Sequence, residues 1–456
     1  MQDNVFKTNA TMGISVTFLP LLLKALQLVL ALSLIVIIHE LGHFSMARLF
    51  KVRVEKFYLF FDLKGKALFR YRSKRSGTEF GIGWLPIGGY CKIMGMVDEQ
   101  YLATGKRSVP KPYEMRAKPA WQRFLIMIAG ILFNLVSAVI LYAGLVFYQG
   151  RYELKSADIS SGMMFSPVAQ EVGFQDNDII LTVDGEELDV LSDDFMKRLI
   201  ESHKVVVQRA DREVVISMPS NMMQRLLATN EGMLSVQTPF VADTIFEGTP
   251  AAATGLQKGD RLLAIDTVKI YDISEAQRLF ALAPGQPLPL CIARGNDTLR
   301  LSVTPDAEGR IGVGLASFTQ VYPLKHYRYS FWESIPAGIQ KAWHTLVGYA
   351  DNMKYLFTRE GANSMGGFIS MGKLFSGTFS GVAFWSVVAL LSVIFAFMNF
   401  LPIPMLDGAE IIFLLVELVT RKKIDEKLLM KTKMVGFIFL MFLLVWANFN
   451  DVIRLF

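Results

Sequence analysis

The residues His39-Glu40-Leu41-Gly42-His43 carry the sharpest chemistry in the sequence. Residues four apart share one face of a helix, so His39 and His43 can reach a single metal ion. Zinc accepts imidazole nitrogens at about 2.0–2.1 Å. Glu40 stands beside the pair, able to take a proton from water at the metal. In a soluble chain, a solvated helix face would account for such a motif. Here it ends the apolar run from Phe18 to Ile38. Three ionisable side chains at the inner part of a span cost several kcal/mol on insertion scales, so their default reading is functional.

That run is the first of four. The others cover about Phe124 to Tyr148, Phe379 to Leu401 and Met434 to Trp446, and a shorter apolar stretch, Ile411 to Val419, follows the third. With their interfacial flanks, the main runs suffice to cross roughly 30 Å of hydrocarbon as helices. The first lacks the short apolar core and small-residue cleavage site of a signal peptide, so it reads as a retained span. A hydrophobic fraction of 52% and a charged fraction of 19% agree with a membrane protein. A net charge of +6 would suggest nucleic acid in a soluble protein. Here the basic residues flank apolar runs, so they read as topology signals and no nucleic-acid partner is expected. The segment Lys51 to Lys118, and Arg421, Lys422 and Lys423, are assigned to the cytoplasm. The N-terminus, the region from Gly150 to Gly377 and the C-terminus then lie outside. Cys91 and Cys291 lack metal-site spacing and read as buried or inert thiols.

A catalytic zinc usually takes a third protein ligand and keeps one position open. His203, His326 and His344 lie in the outer region, far from the inner end of span one, and read as surface or packing residues. Asp407 is the better candidate. It sits in Asn399-Phe400-Leu401-Pro402-Ile403-Pro404-Met405-Leu406-Asp407-Gly408, where the prolines break a helix. An inward-running third span puts Asp407 at the depth of the two histidines. Irregular backbone there is tolerated only beside protein or a water cavity.

The outer region repeats itself. Ser166-Pro167-Val168-Ala169, Gly173-Phe174, Asp178-Ile179-Ile180 and Val183-Asp184-Gly185 match Thr249-Pro250-Ala251-Ala252, Gly255-Leu256, Asp260-Arg261-Leu262-Leu263 and Ile265-Asp266. Each unit has the size of one small domain. Asn177 fills the slot of Gly259, because Asn tolerates left-handed backbone. The β-rich segments Lys204 to Gln208 and Pro289 to Ala293 lie around these landmarks, and the pattern resembles two PDZ domains in tandem. Between the repeat and span three, Trp332, Ile335, Ile339, Trp343, Leu346 and Tyr349 recur at helical spacing within Phe331 to Phe357. This stretch reads either as a helix packed on a neighbour or as an amphipathic helix on the membrane surface.

Together, the His39–His43 motif and Leu406-Asp407-Gly408 in a late span resemble the site-2 protease family. The tandem PDZ-like insert resembles its bacterial branch that cleaves anti-sigma factors. The resemblance implies that His39, His43 and Asp407 ligate zinc and that Glu40 is the base. It implies substrates that are single-span membrane proteins, trimmed first by a site-1-type protease, and residence in a bacterial inner membrane with the PDZ-like pair outside. Gly81-Ile82-Gly83-Trp84-Leu85-Pro86-Ile87-Gly88-Gly89-Tyr90 looks like the family's membrane-re-entrant β-hairpin, so Gly81, Gly83, Gly88 and Gly89 are candidates for holding an unwound substrate strand. Asn399 is a candidate for bonding substrate backbone. Gly130 and Asn134 resemble a family element. Ala409 and Glu410 stand where many relatives carry a glycine and a histidine.

The expected architecture is a polytopic α-helical membrane protein with two inserted PDZ-like α/β domains. The segments are 1–50 with the zinc motif, 51–120 cytoplasmic with the hairpin, 121–150 as span two, 151–240 and 241–320 as the PDZ-like domains, 321–377 as the amphipathic helical region, and 378–456 with the last two spans and Asp407. The PDZ-like pair either recognises a new C-terminus or excludes bulky substrates. The rival reading is a zinc-binding membrane scaffold that gathers partners without cutting. Glu40 counts against it, because a mere zinc site needs no glutamate beside its first histidine.

Overall fold

The computed structural model describes residues 2–63, 65–96, 109–229, 231–356, 358, 361, 365–422 and 424–454. Phe357, Lys423 and residues 97–108 of the basic segment lie outside these. The chain forms two compact units, Met1–Gly150 with Arg328–Phe456, and Arg151–Tyr327.

Among the described residues, the first unit is helical, with one sheet. Its helices are α1 (Gln2–Leu49), α2 (Ala120–Gln149), α3 (Phe331–Leu356), α4 (Phe368–Lys373), α5 (Gly381–Phe400), α6 (Asp407–Thr420) and α7 (Glu426–Ile453). Four of these contain segments long and apolar enough to cross a membrane: Leu19–Leu49, Ala120–Gln149, Gly381–Phe400 and Lys427–Ile453. The protein is a multi-pass membrane protein. Many large apolar side chains on these helices remain exposed, among them Leu21, Ile140 and Ile438. That suits a lipid surround, in which helices associate through close packing and polar contacts instead of an apolar core.

One such contact decides the site. A methyl group on Gly42 would fall well inside contact distance of the Ala129 carbonyl, so α1 and α2 cross backbone to backbone there. Helix α3 partly joins this bundle. Gly338 backs onto Ala143, and Ala342 is buried with Ala138 and Tyr142, while Trp332 and Trp343 on other faces are exposed. The packed face fits the reading of a helix set against a neighbour.

The sheet comprises β1 (Val54–Phe61), β2 (Phe69–Arg72), β3 (Glu79–Ile82) and β4 (Leu85–Ile93), in the order β2-β3-β1-β4. Here the expected hairpin needs correction. Strands β3 and β4 do not pair with each other; they flank β1, parallel on one side and antiparallel on the other. The Gly83-Trp84 link crosses the end of β1, with the two amides donating to the Leu59 and Phe61 carbonyls. Gly81 is thus an inner-strand residue packed on the Tyr58 ring, whereas Gly88 and Gly89 lie on the edge strand β4.

The second unit carries the repeat as two lobes with separate cores, one around Phe174, Ile180 and Leu199, the other around Leu262, Ile265 and Ile292. The matched motifs become the same local structure. Pro167–Val172 and Pro250–Thr254 are short helices begun by proline and ended by left-handed Gly173 and Gly255. Ile179–Val183 and Arg261–Ile265 are the following strands. Asn177 and Gly259 both have positive φ, 72° and 91°. Asp178 accepts from the Gln175 amide and pairs with Arg209, which also donates to the Gly173 carbonyl. Asp260 repeats this with Gln257, Arg294 and Gly255. Burial opposes ionisation of Asp260, but Arg294 and the Gln257 amide outweigh it and hold its carboxyl below the usual range. The end of the unit returns to the first lobe. Tyr322 is buried there, its hydroxyl donating to the Gln237 carbonyl at 2.5 Å, and Lys325–Tyr327 pairs with Arg151–Glu153.

Candidate active site

His39 and His43 lie one turn apart on α1, and both are buried. Asp407 opens α6, after the prolines have ended α5 at Phe400 and Met405 has turned the chain at φ 86°. The three side chains converge. His39 Nε2 and His43 Nε2 each lie 3.0 Å from Asp407 Oδ2, and 3.2 Å from one another. A tetrahedral ion with bonds near 2.05 Å separates its ligands by about 3.3 Å, close to this spacing. These residues are a group able to hold a metal ion.

Helix α2 forms the wall behind them. His43 Nδ1 donates to the Ile126 carbonyl at 2.8 Å, so the neutral imidazole turns its Nε2 lone pair toward Asp407. Asn134 is fully buried, its amide nitrogen 3.5 Å from His39 Nδ1 and its Oδ1 without a partner. The two ends of the amide exchange by a half turn. Turned that way, Oδ1 faces an Nδ1–H and frees the Nε2 lone pair of His39 as well. The donor set therefore fits a cation held by two imidazoles and a carboxylate. Gly130 makes room for it: a methyl group there would stand 2.5 Å from His43 Nε2 and 2.8 Å from His39 Cε1. Phe395 of α5 closes the side, its ring edge-on to His39 at 5.6 Å.

Glu40 is half-buried beside this set, with the Cys91 main chain of β4 facing its carboxylate. Asn399 is buried in the last turn of α5. Among the described residues, the remaining histidines join no metal-ligating group. His203 and His344 are exposed, and His326 stacks on Tyr152 at 4.3 Å. Sequence reasoning did not assign the supporting roles of Ile126, Gly42 and Cys91. Two of the three act through main-chain atoms, which no side-chain type announces.

Two imidazoles, a carboxylate and a neighbouring glutamate, set among apolar spans, have the composition of a metalloprotease that works within a membrane. The chain belongs to peptidase family M50, the site-2 proteases, whose pattern matches residues 27–443. Along 94% of its length it is 27% identical to a putative zinc metalloprotease of Vibrio cholerae, covering 98% of that protein. It is 29% identical to a putative zinc metalloprotease of Neisseria meningitidis, again over 94% of the chain and 99% of the relative. It is 28% identical to the regulator of sigma-E protease RseP of Salmonella typhimurium, over 94% and 98%. The enzyme is a zinc metalloprotease.

Proposed function

We propose that this protease cuts the transmembrane segments of single-span membrane proteins, with His39, His43 and Asp407 as zinc ligands and Glu40 as the general base. The convergence of the three donor atoms within 3.2 Å, beside a half-buried glutamate, carries the reading. When bound, zinc acidifies water and polarises a peptide carbonyl. Glu40 accepts the proton of the attacking water and returns it to the leaving amine. The apolar wall of α2 and α5 limits water around the reacting bond. Asn399 and the glycines of the sheet serve substrate binding. A substrate helix hides its carbonyls in its own hydrogen bonds, so it must unwind, and the outer edge of β4, with Gly88 and Gly89, can pair with the opened strand. Gly81 and Gly83 support that edge from within.

The lobes at 151–240 and 241–320 act as PDZ-like domains on the extracytoplasmic side of a bacterial inner membrane. The substrates are anti-sigma factors or remnant signal peptides already trimmed by another protease. The test is cleavage of single-span reporters with and without a bulky outer domain, with the cut mapped by mass spectrometry. A cut inside the span, made only in trimmed reporters, supports the proposal. Cuts confined to soluble segments would overturn it. Deleting residues 160–310 should release the discrimination if the lobes exclude bulk. Loss of cleavage of trimmed reporters would show that they recognise substrate.

A further inference from the structure

The carboxylate of Glu410 lies in the first turn of α6, three residues after Asp407, and forms an ion pair with Lys433 of α7. Both side chains are mostly withdrawn from the surface, 18% and 20% exposed, and Lys433 lies inside a membrane-spanning helix. A pair so placed is costly to break from one side, because the remaining charge loses its partner in a poorly solvated position. Three residues beyond Lys433, on the same side of α7, Gly436 backs directly onto Pro404; a methyl group on it would collide with the Pro404 carbonyl. Helix α7 thus grips the turn that carries Asp407 at two points, one before the ligand and one after it. The far end of α6 is tied separately, by Arg123 of α2 to Glu417 at 2.5 Å.

We propose that Lys433 is a positioning residue for the metal site, fixing through Glu410 the rotation of α6 that aims the Asp407 carboxylate at His39 and His43. The turn needs such a restraint. Two prolines and a left-handed Met405 precede Asp407, so continuous helix does not set its direction. Glu410 and Lys433 supply the opposite charges that join α6 to α7. The last span is then part of the metal site's support.

This inference rests on Asp407 being a ligand, and the experiment separates the two. Zinc release from the purified full-length protein is timed against a chromophoric chelator for the wild type, Asp407→Asn, Lys433→Met, Glu410→Gln, Lys433→Arg and the exchange Lys433→Glu with Glu410→Lys. Gel filtration selects monodisperse samples. Lys433→Met and Glu410→Gln should release zinc about 10–100-fold faster, as loss of outer-shell support typically does. Lys433→Arg, and the charge exchange, should return the rate toward that of the wild type. Release from Lys433→Met at the wild-type rate while Asp407→Asn releases fast would overturn the positioning role and leave the ligand intact. Release from Asp407→Asn at the wild-type rate would overturn both. If the single variants do not fold, the exchange decides alone: wild-type release sustains the pair, and fast release from folded protein refutes it.

Discussion

Replacing Gly130 by alanine tests the wall that shapes the metal site. The glycine is helical, so alanine adds one methyl group without backbone strain. That methyl would meet His43 Nε2 at 2.5 Å, and both ring Cε1 atoms at 2.8 Å. Ordinary contact requires opening the first distance to at least 3.4 Å, a displacement of about 0.9 Å. The rings cannot simply retreat, because His43 is held by the Ile126 carbonyl and His39 is backed by Phe395. Metal sites tolerate about 0.2 Å in ligand distance. A 1 Å misplacement in a catalytic site can cost about 100-fold in rate, or about 2.7 kcal/mol. Gly130→Ala should therefore cut reporter cleavage about 100-fold and lower zinc content at equal expression. Gly144→Ala is the control, since nothing in the structure lies within 4 Å of its added methyl on the same helix. Wild-type zinc content and cleavage in Gly130→Ala would show that the crowding described here does not shape the site.

Further outcomes follow from other contacts. Asn134→Ala should lower zinc affinity about 10–100-fold by removing the amide against His39, read by chelator competition. Gly42→Ala should lower the thermal midpoint as well as activity, because the α1–α2 crossing itself must widen. Asp260→Asn should destabilise the second lobe by about 2–4 kcal/mol, seen in denaturant unfolding, since it leaves Arg294 without its buried partner. With its pKa depressed in the folded state, the stabilisation from Asp260 is present above the unfolded value near 3.9 and fades as pH falls through the lower folded value. The wild type should therefore lose more stability on acidification to pH 3 than Asp260→Asn does.

The site was legible in the sequence because membrane spans are poor in ionisable residues. His39, Glu40, His43 and Asp407 stand out against apolar runs, and the helical period joins the first three. The repeat was legible for another reason. Proline starts, glycine stops and the aspartate before each strand have local meanings, and both lobes fold them alike. The sheet order was not legible. Which strands flank β1 depends on pairing between distant segments, and a glycine-rich stretch reads as a hairpin whether or not its arms meet. The ion pair of Glu410 with Lys433 was hidden likewise, since each residue alone reads as an interfacial charge.

Glu40→Gln separates metal binding from catalysis, with zinc content and cleavage of a single-span reporter measured on the same preparations as the wild type. With Glu40 as the base, both proteins should hold about one zinc and only the wild type should cut. Cleavage by Glu40→Gln at the wild-type rate would contradict that role.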